Sequence, residues 1–143
     1  MRNVVLASDH AGYLLKKRII EYLKEVDIKI FDFGCFSTKS SDYADFAHPL
    51  AEAVEKDVNT FGIVCCSSGN GINMTVNKHQ GIRSALCWNV EVAKLARLHN
   101  DANICSLPSR FISEEKALKI IKIFMSTDFE GGRHITRIAK IPI

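Results

Sequence analysis

Two short segments hold the side chains best suited to chemistry. Ser8-Asp9-His10-Ala11-Gly12 sets a carboxylate beside an imidazole. Cys65-Cys66-Ser67-Ser68-Gly69-Asn70-Gly71 supplies thiols, two hydroxyls and a glycine-rich backbone that runs into a short helical pattern. Glycines let the backbone approach a ligand closely, and the unpaired N–H groups of a helix start favour negative charge. A thiol in such a setting is drawn toward the thiolate. These groups offer anion binding by amides beside an activated sulfur. The other reading makes Cys66 a buried strand-end residue next to an ordinary turn.

Several sharper motifs are missing. A Walker loop ends in Gly-Lys-Ser/Thr, whereas Gly71 is followed by Ile72-Asn73. A cysteine-phosphatase loop needs an arginine six residues past the thiol, and Gly71 and Ile72 stand there. Asp9-His10-Ala11-Gly12 is not a dinucleotide fingerprint. No CxxC pair or His/Cys ladder has zinc spacing, so no metal and no cofactor are expected.

A second group lies later in the chain. His99-Asn100-Asp101 ends a helical pattern, where His99 suits the helix C-terminus and Asn100 a cap. Arg133 and Arg137 are four apart, so a helix would turn both one way. Two guanidiniums on one face suit a phosphate. A solvated basic face is the alternative.

The elements that must position these groups alternate strictly. Strands are expected at Asn3–Ser8, Ile28–Phe33, Phe61–Cys66, Ile82–Trp88 and Ala102–Leu107. The first helix spans Gly12–Val26, with Leu15, Ile19, Leu23 and Val26 on its apolar face and Lys16, Lys17 and Lys24 elsewhere. The second runs from about Asp45 to Asp57; Pro49 restricts its start, because proline is tolerated only near a first turn. Short helical turns to Lys78, then Asn89–His99 and a helix capped by Ser113 complete the series. The pattern predicts an α/β fold: one three-layer αβα sandwich with a Rossmann-like five-stranded parallel sheet, order 2-1-3-4-5. Ligands in such a sheet bind beyond the carboxyl ends of the strands at the switch point between strands one and three. Both chemistry-bearing loops fall there. His99 falls at the opposite, amino edge, so it would serve only a neighbouring subunit's site.

Composition agrees with one globular domain over residues 1–143. The chain is 47% hydrophobic and 24% charged, with a net charge of +3. That balance gives no case for nucleic acid, and no apolar run reaches the about 20 residues of a membrane span. Five cysteines are too sparse for a disulfide scaffold. The apolar start is too short for a signal peptide. A reduced, cytoplasmic protein is expected.

Taken in order, the segments resemble the ribose-5-phosphate isomerase B family, which also contains galactose-6-phosphate isomerase subunits. The resemblance runs through Val4–Gly12, Asp42-Tyr43, Cys66–Gly71, Asn77-Lys78, Gly81-Ile82-Arg83, His99–Asn103, Ser109-Arg110 and Glu130–His134. It implies an aldose–ketose isomerase of the pentose phosphate pathway that interconverts ribose 5-phosphate and ribulose 5-phosphate through an enediolate without a metal. It implies a homodimer, sometimes a tetramer, with shared active sites and with the basic tail of about 131–143 packed on the partner subunit. Carried over by position, Cys66 moves the proton between C2 and C1, and His99 opens the furanose ring. Asp9 holds sugar hydroxyls or assists ring opening, with Tyr43 beside it, and Asn100 holds the sugar. His10, Arg110, Arg133 and Arg137 bind the phosphate. The amides of Ser67, Ser68, Gly69, Asn70 and Gly71, with the Ser68 hydroxyl, stabilise the enediolate oxygen.

The chain departs from the family pattern in places. Ser67 stands where glycine is usual, and Ala44 where proline is common. One branch of the family uses a glutamate at the position of Ile72 in place of the cysteine. Strand alternation turns Cys65 away from Cys66, into the core. A six-carbon sugar-phosphate isomerase and a non-catalytic sugar-phosphate-binding protein are the competing readings.

Overall fold

Strand β1 (Asn3–Ser8), β3 (Thr60–Cys66) and β5 (Ile104–Pro108) form the centre of the sheet, and their side chains are almost all buried. The computed structural model describes residues 2–143. Between these strands run α1 (Tyr13–Glu25), β2 (Ile30–Asp32), α2 (Tyr43–Lys56), α3 (Asn70–Val76), β4 (Ser84–Leu86) and α4 (Val90–Asn100). Helices α5 (Glu114–Ser126) and α6 (His134–Ile138) follow. Every strand pair is parallel.

Alternation along each strand feeds two cores. Val4, Leu6, Phe61, Ile63, Cys65, Cys105 and Leu107 face α1, α4 and α5. Val5, Ala7, Val64, Cys66 and Ile104 face α2 and α3. The result is a three-layer sandwich, as the run of apolar strands requires.

The strand order is 2-1-3-5-4, not 2-1-3-4-5. The exchange follows from burial. All five residues of β5 are buried, whereas β4 has three residues, all half-buried. A strand apolar on both sides belongs inside the sheet, and a short, half-exposed one at its margin.

Two helices differ from expectation. Helix α2 begins at Tyr43, so Pro49 lies inside it rather than near its first turn. Proline there forfeits one backbone bond. Pro49 is exposed, so the freed Asp45 carbonyl can be hydrated, while Ala47, Leu50, Ala51 and Val54 anchor the buried side. In α1, Lys16 is fully buried. Its Nζ donates to Asp32 Oδ1 and to the Cys35 carbonyl, both at 2.6 Å. This ion pair pins α1 to the end of β2 beneath the first loop.

Candidate functional site

Both chemistry-bearing loops emerge at the carboxyl edge, one from β1 and one from β3. These strands are direct neighbours, with Ser8 opposite Cys65. The first loop is a tight turn. Asp9 is buried, and its Oδ1 accepts the Gly12 N–H at 3.0 Å. Its other carboxylate oxygen has no protein partner among the described residues. His10 is locked to the β2–α2 loop by reciprocal bonds: its N–H donates to Ser41 Oγ, and its Nδ1 accepts the Ser41 N–H, each at 3.1 Å. An accepting Nδ1 puts the proton of the neutral ring on Nε2, where it can donate. Asp9, His10, Tyr43 and the segment 40–45 line a cleft of about 580 Å³. Ser41 was not among the residues singled out from sequence, because nothing local marks a loop serine as a partner for a distant histidine.

The second loop carries the thiol. Cys66 is buried toward α2 and α3, and Cys65 toward the opposite core. Burial pushes the Cys65 thiol well above its ordinary value, so Cys65 stays a neutral packing group, as strand alternation predicts. Past Cys66, the N–H groups of Ser67, Ser68 and Gly69 meet no protein acceptor among the described residues. The Ser68 hydroxyl accepts the Asn70 N–H at 3.2 Å, so its own proton stays available. Gly69 caps α3 in the left-handed region at φ 75°, which glycine adopts without strain. Gly71 permits a second close approach: a Cβ there would overlap the Tyr43 ring. Tyr43 is thereby seated between the cleft and α3.

The corrected strand order brings a third loop to this place. Ser109, just past β5, donates its N–H to the Cys66 carbonyl at 2.9 Å, and the Arg110 N–H reaches the Ser67 carbonyl at 3.0 Å. The Ser109 hydroxyl lies 3.0 Å from the carbonyls of both Cys66 and Ala11. Ser109 therefore ties all three loops together. With β4 beside β3, Ser109 would lie one strand farther off, so its part was not legible from the expected order.

His99, Asn100, Arg133 and Arg137 are not at this edge. Helix α4 ends just before β5 begins, which puts His99 and Asn100 at the amino edge. Exposed Arg133, at the N-cap of α6, and exposed Arg137, within it, lie beside them. The His99 ring stacks on His134 with centroids 4.4 Å apart and planes 16° from parallel. His134 is buried, and burial, then the Arg133 charge, lower its pKa. His99, Glu130 and His134 bring ligand atoms within 4.8 Å of one another. Stacked rings send their in-plane lone pairs along nearly parallel lines, so one ion could not lie in both ring planes without a ring turning.

Comparison with known proteins agrees with this architecture. Residues 4–141 match the Ribose/Galactose Isomerase family. Ribose-5-phosphate isomerase B of Escherichia coli is 35% identical over 99% of this chain and 95% of its own. The crystal structure of a ribose 5-phosphate isomerase from Thermotoga maritima superposes with a TM-score of 0.96 at 42% identity, covering 99% of this chain and 97% of its own. Ribose-5-phosphate isomerase B of Mycoplasma genitalium, solved with bound ribulose-5-phosphate, gives a TM-score of 0.93 at 41% identity, covering 97% and 93%. This chain belongs to the ribose/galactose isomerase family.

Proposed function

We propose that the protein interconverts ribose 5-phosphate and ribulose 5-phosphate through an enediolate. The observation that carries this reading is Cys66 at the end of β3, followed at once by three amides without protein acceptors. A proton beside a carbonyl is removable only if the resulting oxyanion is stabilised, and preaimed amides do that. In the open-chain aldose, the Cys66 thiolate takes the C2 proton as the C1 carbonyl oxygen gains the charge. The free amides of Ser67, Ser68 and Gly69, with the Ser68 hydroxyl, hold that oxygen. The thiol then returns the proton to C1 while a proton passes from O2 to O1, leaving the ketose.

The remaining roles follow the chemistry of each group. Asp9 offers its free carboxylate oxygen to sugar hydroxyls, beside Tyr43. His10 donates from Nε2 to the phosphate, with Arg110 near the same loop. His99, Asn100, Arg133 and Arg137 serve the site of a second subunit, because they stand at the opposite edge of their own sheet. A homodimer with shared sites is thus the working assembly, with a tetramer as its doubling, and the 131–143 tail lies against the partner.

The test is incubation with ribose 5-phosphate in D2O, followed by proton NMR. Ribulose 5-phosphate should form, with deuterium entering at C1 or C2. The absence of both product and exchange, from a folded protein, overturns the reading. A higher kcat/KM on allose or galactose 6-phosphate would move the substrate to six carbons.

A further inference from the structure

Arg83 stands just ahead of β4, beside the turn that links α4 to β5. Its guanidinium spans that turn. Nε donates to the Asn100 carbonyl at 3.0 Å and to the Asp101 carbonyl at 3.1 Å. Nη2 donates to the Asp101 carbonyl at 3.0 Å and to Asp101 Oδ2 at 3.2 Å. The last carbonyls of a helix lack partners within it, and a rigid guanidinium fork meets several acceptors at once. Asp101 needs such support, because it caps α4 in the left-handed region at φ 45°, which a residue with a side chain seldom adopts. Its other carboxylate oxygen accepts Arg97 Nη1 at 2.8 Å. Asn103 closes the far side of the turn. Its Oδ1 accepts the Arg83 N–H at 2.8 Å, its own N–H donates to the Arg83 carbonyl at 2.9 Å, and its Nδ2 donates to the Gly81 carbonyl at 2.8 Å. His99 and Asn100, the last two residues of α4, thus run into a turn that Arg83 holds from outside the helix.

We propose that Arg83 is a positioning residue: by gripping the Asn100 and Asp101 backbone it fixes the end of α4, so that His99 and Asn100 meet the second subunit's substrate in one geometry. This inference rests on the shared-site isomerase reading and deepens it. Arg83 lies at the amino edge of its own sheet, whereas its own Cys66 lies at the carboxyl edge. Its effect therefore falls on the half of the site that its chain lends to the partner. A fixed backbone matters there, because a misplacement of about 1 Å costs a reacting group about 10²-fold.

The experiment compares Arg83→Ala and Arg83→Lys with wild type, alone and in mixed dimers. Arg83→Ala should lower kcat/KM on ribose 5-phosphate by about 10²-fold; an unchanged value would overturn the proposal. Arg83→Lys, which keeps the charge but not the fork, should lose less, and it carries the same tests if Arg83→Ala does not fold. Complementation separates positioning from general damage. Refolded together, Cys66→Ala and Arg83→Ala chains should regain about a quarter of wild-type activity, because random pairing makes about half of the dimers hybrid and each hybrid keeps one site intact. Arg83→Ala with His99→Ala should gain nothing, since both lesions fall on the lent half. Recovery in that second pair would overturn the proposal. So would no recovery in the first pair while Cys66→Ala with His99→Ala recovers. Failure of that control pair, or a wild type without isomerase activity, would instead refute the underlying reading. A readout without turnover then still judges Arg83: amide exchange in Arg83→Ala should quicken over residues 99–103 and stay as in wild type over residues 66–71. Unchanged exchange over 99–103, or equal gains in both segments, would overturn the positioning.

Discussion

Ser109 and Cys66 meet backbone to backbone: the Ser109 N–H donates to the Cys66 carbonyl at 2.9 Å, and its hydroxyl lies 3.0 Å from the same oxygen. The hydroxyl also reaches Ala11 across the β1 loop. Ser109→Ala should keep the N–H bond and lose the bridge. A single neutral hydrogen bond contributes about 1 kcal/mol, so the denaturation midpoint should fall slightly. With Cys66 less firmly held, kcat should fall about tenfold, short of the ~10² that a 1 Å displacement produces. Steady-state kinetics beside urea unfolding separate the two effects. A stability loss with unchanged kcat would make Ser109 purely structural.

Adjacent thiols should behave oppositely. Cys66→Ala should lower kcat by about 10²–10⁴-fold and leave ribulose 5-phosphate binding within a few-fold by calorimetry. Cys65→Ala should keep turnover and cost about 1 kcal/mol of stability, as an ordinary core truncation does. Turnover that survives in Cys66→Ala would remove the proposed base.

Subunit sharing is testable by complementation. Cys66→Ala and His99→Ala chains, each inactive alone, should regain part of the activity after unfolding and refolding together. A mixed dimer holds one site with both residues intact. No recovery, with exchange proven by mass spectrometry, would mean that His99 does not act on a partner's substrate.

Arg97 is the buried clamp at the end of α4. Nearly fully buried, it donates from Nη1 to Asp101 Oδ1 at 2.8 Å and to the Ala102 carbonyl at 2.6 Å. Its Nε donates to the Thr127 carbonyl at 3.1 Å. Asp101 is partly exposed and keeps Arg83 as a second partner at 3.2 Å, so the cost of losing Arg97 is that of the buried carbonyls left without a donor, about 1–3 kcal/mol. Arg97→Ala should therefore lose stability on that scale in chemical denaturation. A cost below about 1 kcal/mol would show that the clamp is dispensable.

His134 gives stability a pH dependence of known sign. Its folded-state pKa is lowered from the ordinary value of 6.5, first by burial and then by Arg133 and His99. Below 6.5 the unfolded chain takes up the proton before the folded one does. Stability should thus be present above pH 6.5 and decline as pH falls toward the lowered folded value. His134→Gln should flatten the urea-midpoint profile between pH 7 and 5. An unchanged slope would assign the acid sensitivity to other groups.

Much of the architecture was legible because apolar runs and glycine punctuation report burial directly. Asn3–Ser8 and Phe61–Cys66 could be placed side by side, and with them the meeting of Asp9-His10 with Cys66–Gly71. The exchange of β4 and β5 was not legible, since Ile82–Trp88 and Ala102–Leu107 are similarly apolar as strings. Only the structure shows that β4 is reduced to Ser84–Leu86. Pro49 misled the α2 start because its exposed side of the helix tolerates a missing bond. Buried Lys16 and Arg97 were hidden for a related reason: a charge enters a core only where distant carbonyls and carboxylates meet it, and sequence spacing does not record those partners.

The taper of the sheet has a consequence for how these molecules behave in company. Its central strands have six, seven and five residues, but both margins, β2 and β4, have only three. An open margin displays unpaired N–H and C=O groups that can recruit a strand from another chain. Three residues present too few of them to template such an addition. Brevity at both borders lets a parallel sheet with two open sides resist runaway stacking.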